Sequence, residues 1–447
     1  MSARYLAYKI LFDIEVNGNY SNMALNKYLN EAGLDDQDKG FVTELVYGII
    51  EKKRYLDYMI NKVSKIKVRK MQHPVKLVLR MGVYQLVYMD GVADYAAINE
   101  SVNIMKKLDK RSASFVNAVL RNISRNLDEV KDISLNTVDK LAIYYSYENW
   151  IVENLVKEYG FERTEAILRA LSQKPNIYLR VNRTKLRPGQ SMDYLVGQII
   201  GRLIDQGLEA SRVEGLEEAI KVKGLKSIDK HPLFREGYVS VQDISSILVA
   251  KVMDPKRESR VLDLCAAPGG KSTHIGELME NTGHLISQDI FDHKIKLMNT
   301  YARRLGLNNM EARLGDALVL NDDYIGKFDY VLCDVPCSGM GIVRRKPEIK
   351  YKKEEEVENL PDLQYQILEN ASSYLKEGGI LIYSTCTIFK QENTDVVDRF
   401  LNNHKDYELD DLGPIKEFLG IGDKGLVKIL PDRYEMDGFF ISRMKKI

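Results

Sequence analysis

The chain has little cysteine, histidine or tryptophan, and it lacks any long apolar run. Among its 447 residues are four Cys, six His and one Trp. All four cysteines, Cys265, Cys333, Cys337 and Cys386, lie in the later part of the chain, whereas a disulfide framework is spread through the domain it staples. Reduced thiols are therefore expected. Their spacing matches no paired zinc knuckle and the histidines do not cluster, so no metal is expected. No stretch approaches the roughly 18 apolar residues of a membrane span. The opening Met1-Ser2-Ala3-Arg4 leads straight into an amphipathic pattern rather than a secretory signal, so a cytoplasmic protein with no membrane partner is expected. Excess charge is absent too: 65 basic and 64 acidic residues leave a net +1, so partners must be read from local clusters.

The chain exceeds the roughly 250–300 residues at which a single core stops growing, so two or three domains are expected. Residues 1–130 read as helices. Leu6, Ala7, Ile10, Leu11 and Ile14 recur at helical spacing until Asn17-Gly18-Asn19 stops them. Asp35 or Asp36 suits the cap of a second long helix, Pro74 the first turn of another, and Asp94 and Ser112 the caps of two more. Lys62, Lys65, Lys67, Arg69 and Lys70, with Arg111, Arg121 and Arg125, read either as solvated faces or as a phosphate-contacting surface. The pattern lapses over 126–137. Residues 131–236 read as a linker and a small mixed α/β module with strands near 176–181 and 208–213 around a helix at 194–203. Over 237–447 strands and helices alternate, with strands at 260–265, 284–289, 310–314, 328–333, 379–385 and 438–443, the pattern of a doubly wound sheet.

Two strand ends in that last part carry chemistry. The run Tyr330-Val331-Leu332-Cys333 ends in Asp334-Val335-Pro336-Cys337-Ser338-Gly339, where proline removes slack from the turn and ends sheet pairing. A second run ends in Ser384-Thr385-Cys386. Two thiols and a carboxylate thus compete for one cleft. The first strand ends instead in Asp263-Leu264-Cys265-Ala266-Ala267-Pro268-Gly269-Gly270-Lys271, a small-residue turn before a helix, where a nucleotide-like ligand meets backbone N–H groups in open α/β sheets. Gly270-Lys271-Ser272 imitates the end of a phosphate loop, but position 265 is Cys where that motif needs Gly. Asp289 and Asp316, at the next two strand tips, suit ribose hydroxyls and an adenine edge; taken singly, each is an ordinary cap or turn residue.

These three motifs together resemble the RNA 5-methylcytosine methyltransferases that use S-adenosylmethionine. Met340-Gly341-Ile342-Val343-Arg344-Arg345-Lys346-Pro347-Glu348-Ile349-Lys350 and the ending Asp437-Gly438-Phe439-Phe440 are similar to the bacterial RsmB type, as is the helical first domain, which resembles the NusB antitermination fold. Val335 departs from the alanine usual at that position. The resemblance covers nearly the whole chain, most weakly over about 126–235. It implies an all-α NusB-like domain, a small α/β RNA-recognition module and a Rossmann-like class I methyltransferase domain that methylates carbon 5 of one small-subunit rRNA cytosine, position 967 in the usual rRNA numbering. Transfer RNA, another rRNA site, or a role as an RNA-binding antitermination or assembly factor are the competing functions.

Carbon 5 of cytosine is a poor nucleophile, so a thiolate must first add to carbon 6, and the carbon 5 proton must later be removed. The residues themselves do not rank the two strand-end thiols. The resemblance makes Cys386 the nucleophile and Cys337 the group that assists proton removal and release. It also implies cofactor binding by Cys265, Ala266, Ala267, Pro268, Gly269, Gly270, Lys271, Asp289, Asp316 and Asp334. Cys265 and Cys333 otherwise read as buried small hydrophobes. Asp334 reads as a partner of the cytosine N3 and amino edge, a role that asks burial to let it carry a proton near neutrality, or else as a cap on its own turn. Lys271 reads equally as a partner of Asp334 or the cofactor and as cover for the helix start, and the resemblance lets Gln242 and Asp243 close over the cofactor. Arg344 and Arg345 read as RNA contacts, Lys346, Lys350, Lys352 and Lys353 as surface charge. Nothing demands more than a monomer.

Overall fold

In the computed structural model, which describes residues 2–19, 21–225, 228–421 and 425–447, the chain divides into two units. One comprises Met1–Ser172 with Val343–Glu354, the other Gln173–Ile342 with Glu355–Ile447.

The first unit is helical: α1 (Ala3–Asn17), α2 (Ser21–Glu31), α3 (Asp36–Val63), α4 (His73–Tyr88), α5 (Asp94–Leu108), α6 (Ala113–Arg125), α7 (Leu127–Lys131), α8 (Val138–Tyr145), α9 (Asn149–Tyr159) and α10 (Phe161–Leu171). Gly18 ends α1 in the left-handed region, at φ 73°, where glycine carries no Cβ penalty. The Asp35 carboxylate caps α3 by accepting from the Asp38 N–H at 2.8 Å. Buried leucine, isoleucine and valine side chains of α3, α4 and α6, among them Leu45, Leu56, Val78 and Leu120, build its core, each contributing about 1.5–3 kcal/mol of burial. Arg80, buried at 3% exposure, bonds both oxygens of Asp57 at 2.7 and 2.8 Å and Glu15 at 2.6 Å.

Some expectations need correction. Asp94 is the first helical residue of α5 and accepts from the Ser124 hydroxyl at 2.6 Å rather than capping. Ser112 is already helical and donates to Asp109. The lapse at 126–137 holds the short helix α7, too brief to show a period. Lys350 is not surface charge. It is fully buried in the helical unit and donates to the carbonyls of Tyr145 (3.0 Å) and Glu51 (3.3 Å), above the Tyr147 ring. Tyr351 donates to the Ile50 carbonyl, and Lys350 O accepts from Glu148 N.

The second unit holds two sheets. β1 (Ile177–Val181), α11 (Met192–Asp205), β2 (Glu209–Val213), β3 (Leu216–Lys223), α12 (Pro232–Arg235) and β4 (Val239–Val241) form an antiparallel sheet in the order β2-β3-β1-β4. One face, with Leu179, Val181, Ile220 and Val222, packs on α11. Tyr178, Leu216 and Ala219 join the core of the larger sheet instead, so the module is fused to its neighbour. β3 escapes the sequence reading because Glu218 occupies a buried position in it and breaks the alternation.

The larger sheet is built from α13 (Ile244–Met253), β5 (Arg260–Asp263), α14 (Gly270–Leu278), β6 (His284–Asp289), α15 (Asp292–Leu305), β7 (Met310–Leu314), β8 (Phe328–Asp334), α16 (Leu360–Tyr374), β9 (Leu375–Thr385), α17 (Thr394–Asn403), β10 (Tyr407–Leu409), α18 (Ile415–Leu419), β11 (Leu426–Ile429) and β12 (Phe439–Lys446). Its order is β10-β12-β9-β8-β5-β6-β7, with β11 also on β12. β5 to β9 are parallel and β12 is antiparallel to β9. Alternate residues serve opposite faces: Val261, Leu332 and Ile382 lie in one core, Leu262, Val331, Cys333, Leu381 and Tyr383 in the other. The strand order reverses between β5 and β8, so the carboxyl ends of β5, β8 and β9 flank the crevice where open sheets bind ligands.

One ion pair ties the small sheet to that crevice. Arg180 of β1, fully buried, grips both oxygens of Glu277 on α14 at 2.7 and 3.2 Å, and also donates to Thr273 Oγ1, the Gly270 carbonyl and Gln242. Arg180→Met leaves a buried, uncompensated carboxylate, and a loss of about 3–5 kcal/mol is expected, read as a fall in the thermal unfolding midpoint; an unchanged midpoint would show that the pair carries no such weight.

Candidate active site

Parallel pairing of β8 with β9 sets Asp334 beside Ser384, and the Ser384 hydroxyl donates to Asp334 Oδ1 at 2.8 Å. From α14 the Lys271 ammonium donates to Asp334 Oδ2 at 2.6 Å. Both partners are donors, so Asp334 is held as an acceptor, and a quarter of its side chain remains exposed. Lys271 is the partner of Asp334 rather than mere cover for the helix. Burial works against its charge, but Asp334, bonded to it, and Cys386 nearby hold its pKa above the usual lysine value. Its ammonium also lies 5.1 Å from the centre of the Phe439 ring.

Beyond the two strand ends the cysteines meet. Cys337 Sγ and Cys386 Sγ are 3.3 Å apart. The hydrogen bond with Cys386, followed by burial, pushes the Cys337 thiol well above its ordinary pKa. Burial pushes Cys333 and Cys265 up as well. Cys333 sits wholly inside the sheet, whereas Cys265 is half-buried in the turn after β5.

The cysteine tips are braced by residues to which the sequence reading gave no role. Gln364 of α16 donates to the Pro336 carbonyl and to Glu392 Oε2, both at 2.9 Å. Glu392 Oε2 also accepts from the Ser338 N–H at 2.8 Å, and the Ser338 and Thr387 hydroxyls are 2.7 Å apart. Gly341 donates its N–H to the Cys386 carbonyl and accepts from Gly438 N, both at 2.9 Å. A Cβ on Gly341 would sit 1.9 Å from the Gly438 carbonyl oxygen, so only glycine lets these backbones touch. The Asp437-Gly438 ending thereby supports the Cys386 loop. Ser384 stands beside Cys386 in the sequence, but only strand register reveals its partner.

The turn after β5 is shaped for a ligand's close approach. Gly269 has φ 101°, and Gly270 starts α14 with no side-chain cap, leaving the first helical N–H groups to other acceptors. Gln242 Nε2 is buried without a hydrogen-bond partner and lies 4.0 Å from where a Cβ on Gly270 would be. Asp243 instead caps α13, accepting from Ser245 N, and also takes the Asp437 N–H. Ala267 N donates to Asp289 Oδ2 at 3.3 Å, which binds the turn of Cys265, Ala266, Ala267 and Pro268 to the tip of β6. Asp289 also accepts from Phe291 N and from Lys294, while Asp316 accepts from Leu318 N at 2.9 Å. Each closes its own turn while its remaining lone pairs can still accept. The capless helix start, the orphaned amide donor and the aspartates at successive strand tips fit the carboxylate and ribose ends of S-adenosylmethionine.

Asp263, at the end of β5, is wholly buried; one oxygen accepts from Ser272 at 2.6 Å and the other has no partner. Burial, reinforced by Asp334 and opposed by Ser272 and Lys271, raises its pKa to about 7.

Arg344 and Arg345 are half-buried, and the segment carrying them belongs to the helical unit. Among the described residues no group of three or more Cys, His, Asp or Glu could hold a metal ion, and no helix is long and apolar enough to cross a membrane.

Comparison with known proteins adds the following. Residues 250–445 match the family model of 16S rRNA methyltransferase RsmB/F, residues 1–125 that of the NusB family, and residues 147–229 that of the ferredoxin-like domain of RsmF/B-like methyltransferases. The chain is 40% identical over 457 residues to the probable ribosomal RNA small subunit methyltransferase B of Bacillus subtilis, covering 100% of this chain and 99% of that one. It is 32% identical to ribosomal RNA small subunit methyltransferase B of Shewanella oneidensis, again over 100% and 99% of the two chains. Among solved structures, PH0851 matches at a TM-score of 0.77 and 25% identity over 100% of this chain and 98% of that one. NSun6 from Pyrococcus horikoshii with SFG shares the fold at a TM-score of 0.58 and 22% identity, over 66% and 97%.

Asp263 generates a pH prediction. Its folded pKa of about 7 lies above the unfolded value near 3.9, so the folded state holds the extra proton between them. Stability contributed by that proton is present below about pH 4 and is lost as pH rises through 7, by on the order of a few kcal/mol. Asp263→Asn, which keeps an acceptor for Ser272, should flatten the fall in melting temperature between about pH 5 and pH 8; an unaltered slope would contradict the assignment.

Proposed function

Because the chain belongs to the RsmB/F family of 16S rRNA methyltransferases and uses S-adenosylmethionine, we propose that it methylates carbon 5 of a small-subunit rRNA cytosine, position 967 in the usual numbering, through a covalent bond from Cys386. The observation that carries this reading is the 3.3 Å contact between the Cys337 and Cys386 sulfurs beside the Asp334–Lys271 pair. The rRNA target follows from the relatives named small subunit methyltransferase B.

Lys271 lies close enough to Cys386 for the two charges to act on each other, so the ammonium favours a thiolate at Cys386. That thiolate adds to carbon 6, and the ring's electrons move toward carbon 5. Bound S-adenosylmethionine supplies an electrophilic methyl group. Asp334, fixed by Lys271 and Ser384, accepts from the exocyclic amino edge of the base and so orients it. Cys337 as thiolate takes the carbon 5 proton, and Cys386 leaves as the ring is restored. Arg344 and Arg345 take backbone phosphates. The target base must be single-stranded or extruded to enter the crevice.

Cys386→Ala should abolish release of tritium from carbon-5-labelled rRNA, whereas Cys337→Ala should accumulate a protein–RNA adduct that survives a denaturing gel. The same adduct in the double variant would move the nucleophile elsewhere. The hydrogen bond with Cys386 is lost once that sulfur is bonded to carbon 6, but burial, which also raises the Cys337 pKa, remains, so decay of the wild-type adduct, followed by quench and gel, should accelerate as pH rises. A pH-independent decay would remove Cys337 from the release step.

A further inference from the structure

The small antiparallel module carries a cleft that the reaction does not use. It has a volume of about 190 Å³ and lies between α11 and the turns after β1 and before β4. Lys185, Arg187 and Arg202 line it together with Tyr194, Gln198 and Tyr238, and no acidic side chain does so among the described residues. None of the three cations has a carboxylate partner among the described residues. Two of them converge on one ring: Lys185 Nζ lies 5.3 Å and the Arg202 guanidinium 5.6 Å from the centre of Tyr238.

The placement is built rather than incidental. Asn182 fixes the turn that bears Lys185, donating from its side chain to the carbonyls of Gly237 and Leu305 at 2.9 Å and accepting from Thr184 N. Arg187 precedes the Pro188-Gly189 turn, where Gly189 has φ 81°. Tyr194, 57% exposed, is steadied by a hydrogen bond from Gln198 Nε2 at 3.0 Å. Three like charges drawn together without a counter-charge repel one another, and a bound anion relieves that repulsion. The cleft offers little apolar surface but has an exposed ring beside its cations, the combination that holds a nucleic-acid backbone while bases stack nearby.

We propose that Lys185, Arg187, Arg202 and Tyr238 form a phosphodiester-binding subsite for the RNA substrate, outside the methyl-transfer crevice. The proposal rests on the reading of the chain as an rRNA methyltransferase and deepens it. Its position is apt, because the strands flanking the cleft also carry the residues that reach the cofactor turn: Arg180 of β1 donates to the Gly270 carbonyl, and Gln242 directly follows β4. RNA held here is thus engaged by the same small sheet that braces the cofactor loop.

The test is the full chain with Lys185→Gln, Arg187→Gln and Arg202→Gln combined. Its affinity for a small-subunit rRNA fragment, measured by fluorescence anisotropy across a salt series, should fall about tenfold or more near physiological salt. The slope of log affinity against log salt should shrink by about 2, at roughly 0.7 per phosphate on single-stranded RNA. An unrelated RNA of equal length should weaken equally, since phosphate contacts carry no sequence information. In methylation assays KM for RNA should rise while kcat stays within about twofold and the melting temperature is unchanged. Arg202→Glu alone should move affinity in the same direction. Unchanged affinity and salt slope in the folded triple variant overturn the subsite. So does RNA binding that persists while inorganic phosphate is bound by the wild type and not by the variant, which assigns the cleft to a free anion. Binding is measured without turnover, so a wild type that fails to methylate rRNA would sink the assigned reaction and leave this test standing.

Discussion

Parallel pairing between β8 and β9 places the Asp334 carboxylate against the Ser384 hydroxyl and carries both chains on to cysteines whose sulfurs touch. A slip of one residue would exchange the two faces of a strand, sending Cys333 and Tyr383 out of one core and Leu332 and Ile382 out of the other. Register is therefore enforced by two hydrophobic cores, and Cys386 packs against the edge of one of them. The chemistry inherits its geometry from the burial of ordinary aliphatic side chains. The local braces, Gln364 on the Pro336 carbonyl and Gly341 on the Cys386 carbonyl, only hold the loops that register has already delivered.

Charge beside the reactive cysteines is organised around the Lys271 ammonium. Lys271 satisfies Asp334 and stands near Cys386, while the neighbouring Asp263 escapes unfavourable burial of a charge by holding its proton more tightly. Two carboxyl groups at adjacent strand ends thus sit in different surroundings, Asp334 half-buried between two donors and Asp263 wholly buried with one oxygen unpartnered.

The doubly wound sheet was legible because its strands are short, apolar and bounded by turn residues, and the strand-end motifs could be read because their residues are contiguous. The helical first domain showed in its spacing for the same local reason. What depended on residues distant in sequence was hidden. Arg180 reads as one arginine in a strand, yet it forms the buried fork on Glu277. Lys350 reads as one more basic residue after Arg344 and Arg345, yet it is sunk among helices formed hundreds of residues earlier. Asp94 and Ser112 have the right chemistry for caps, but each helix begins one residue earlier or in another conformation. Asp334 lies where the motif placed it, and its partners Lys271 and Ser384 come from other elements.

Burial of Lys350, Ile349 and Tyr351 within the helical unit has a consequence for how this gene can be cut or rearranged. The helical unit is discontinuous: its last piece, Val343–Glu354, is encoded inside the sequence of the catalytic unit. A fragment ending at Ser172 would lack the plug that meets the carbonyls of Glu51 and Tyr145, and a fragment starting at Gln173 would carry that plug with nothing to cover it. Recombination that exchanges a NusB-like domain as a single exon-like block would therefore produce two mismatched surfaces. The core of the helical unit thus needs both pieces of its sequence, α3 and α8 from one and residues 349–351 from the other.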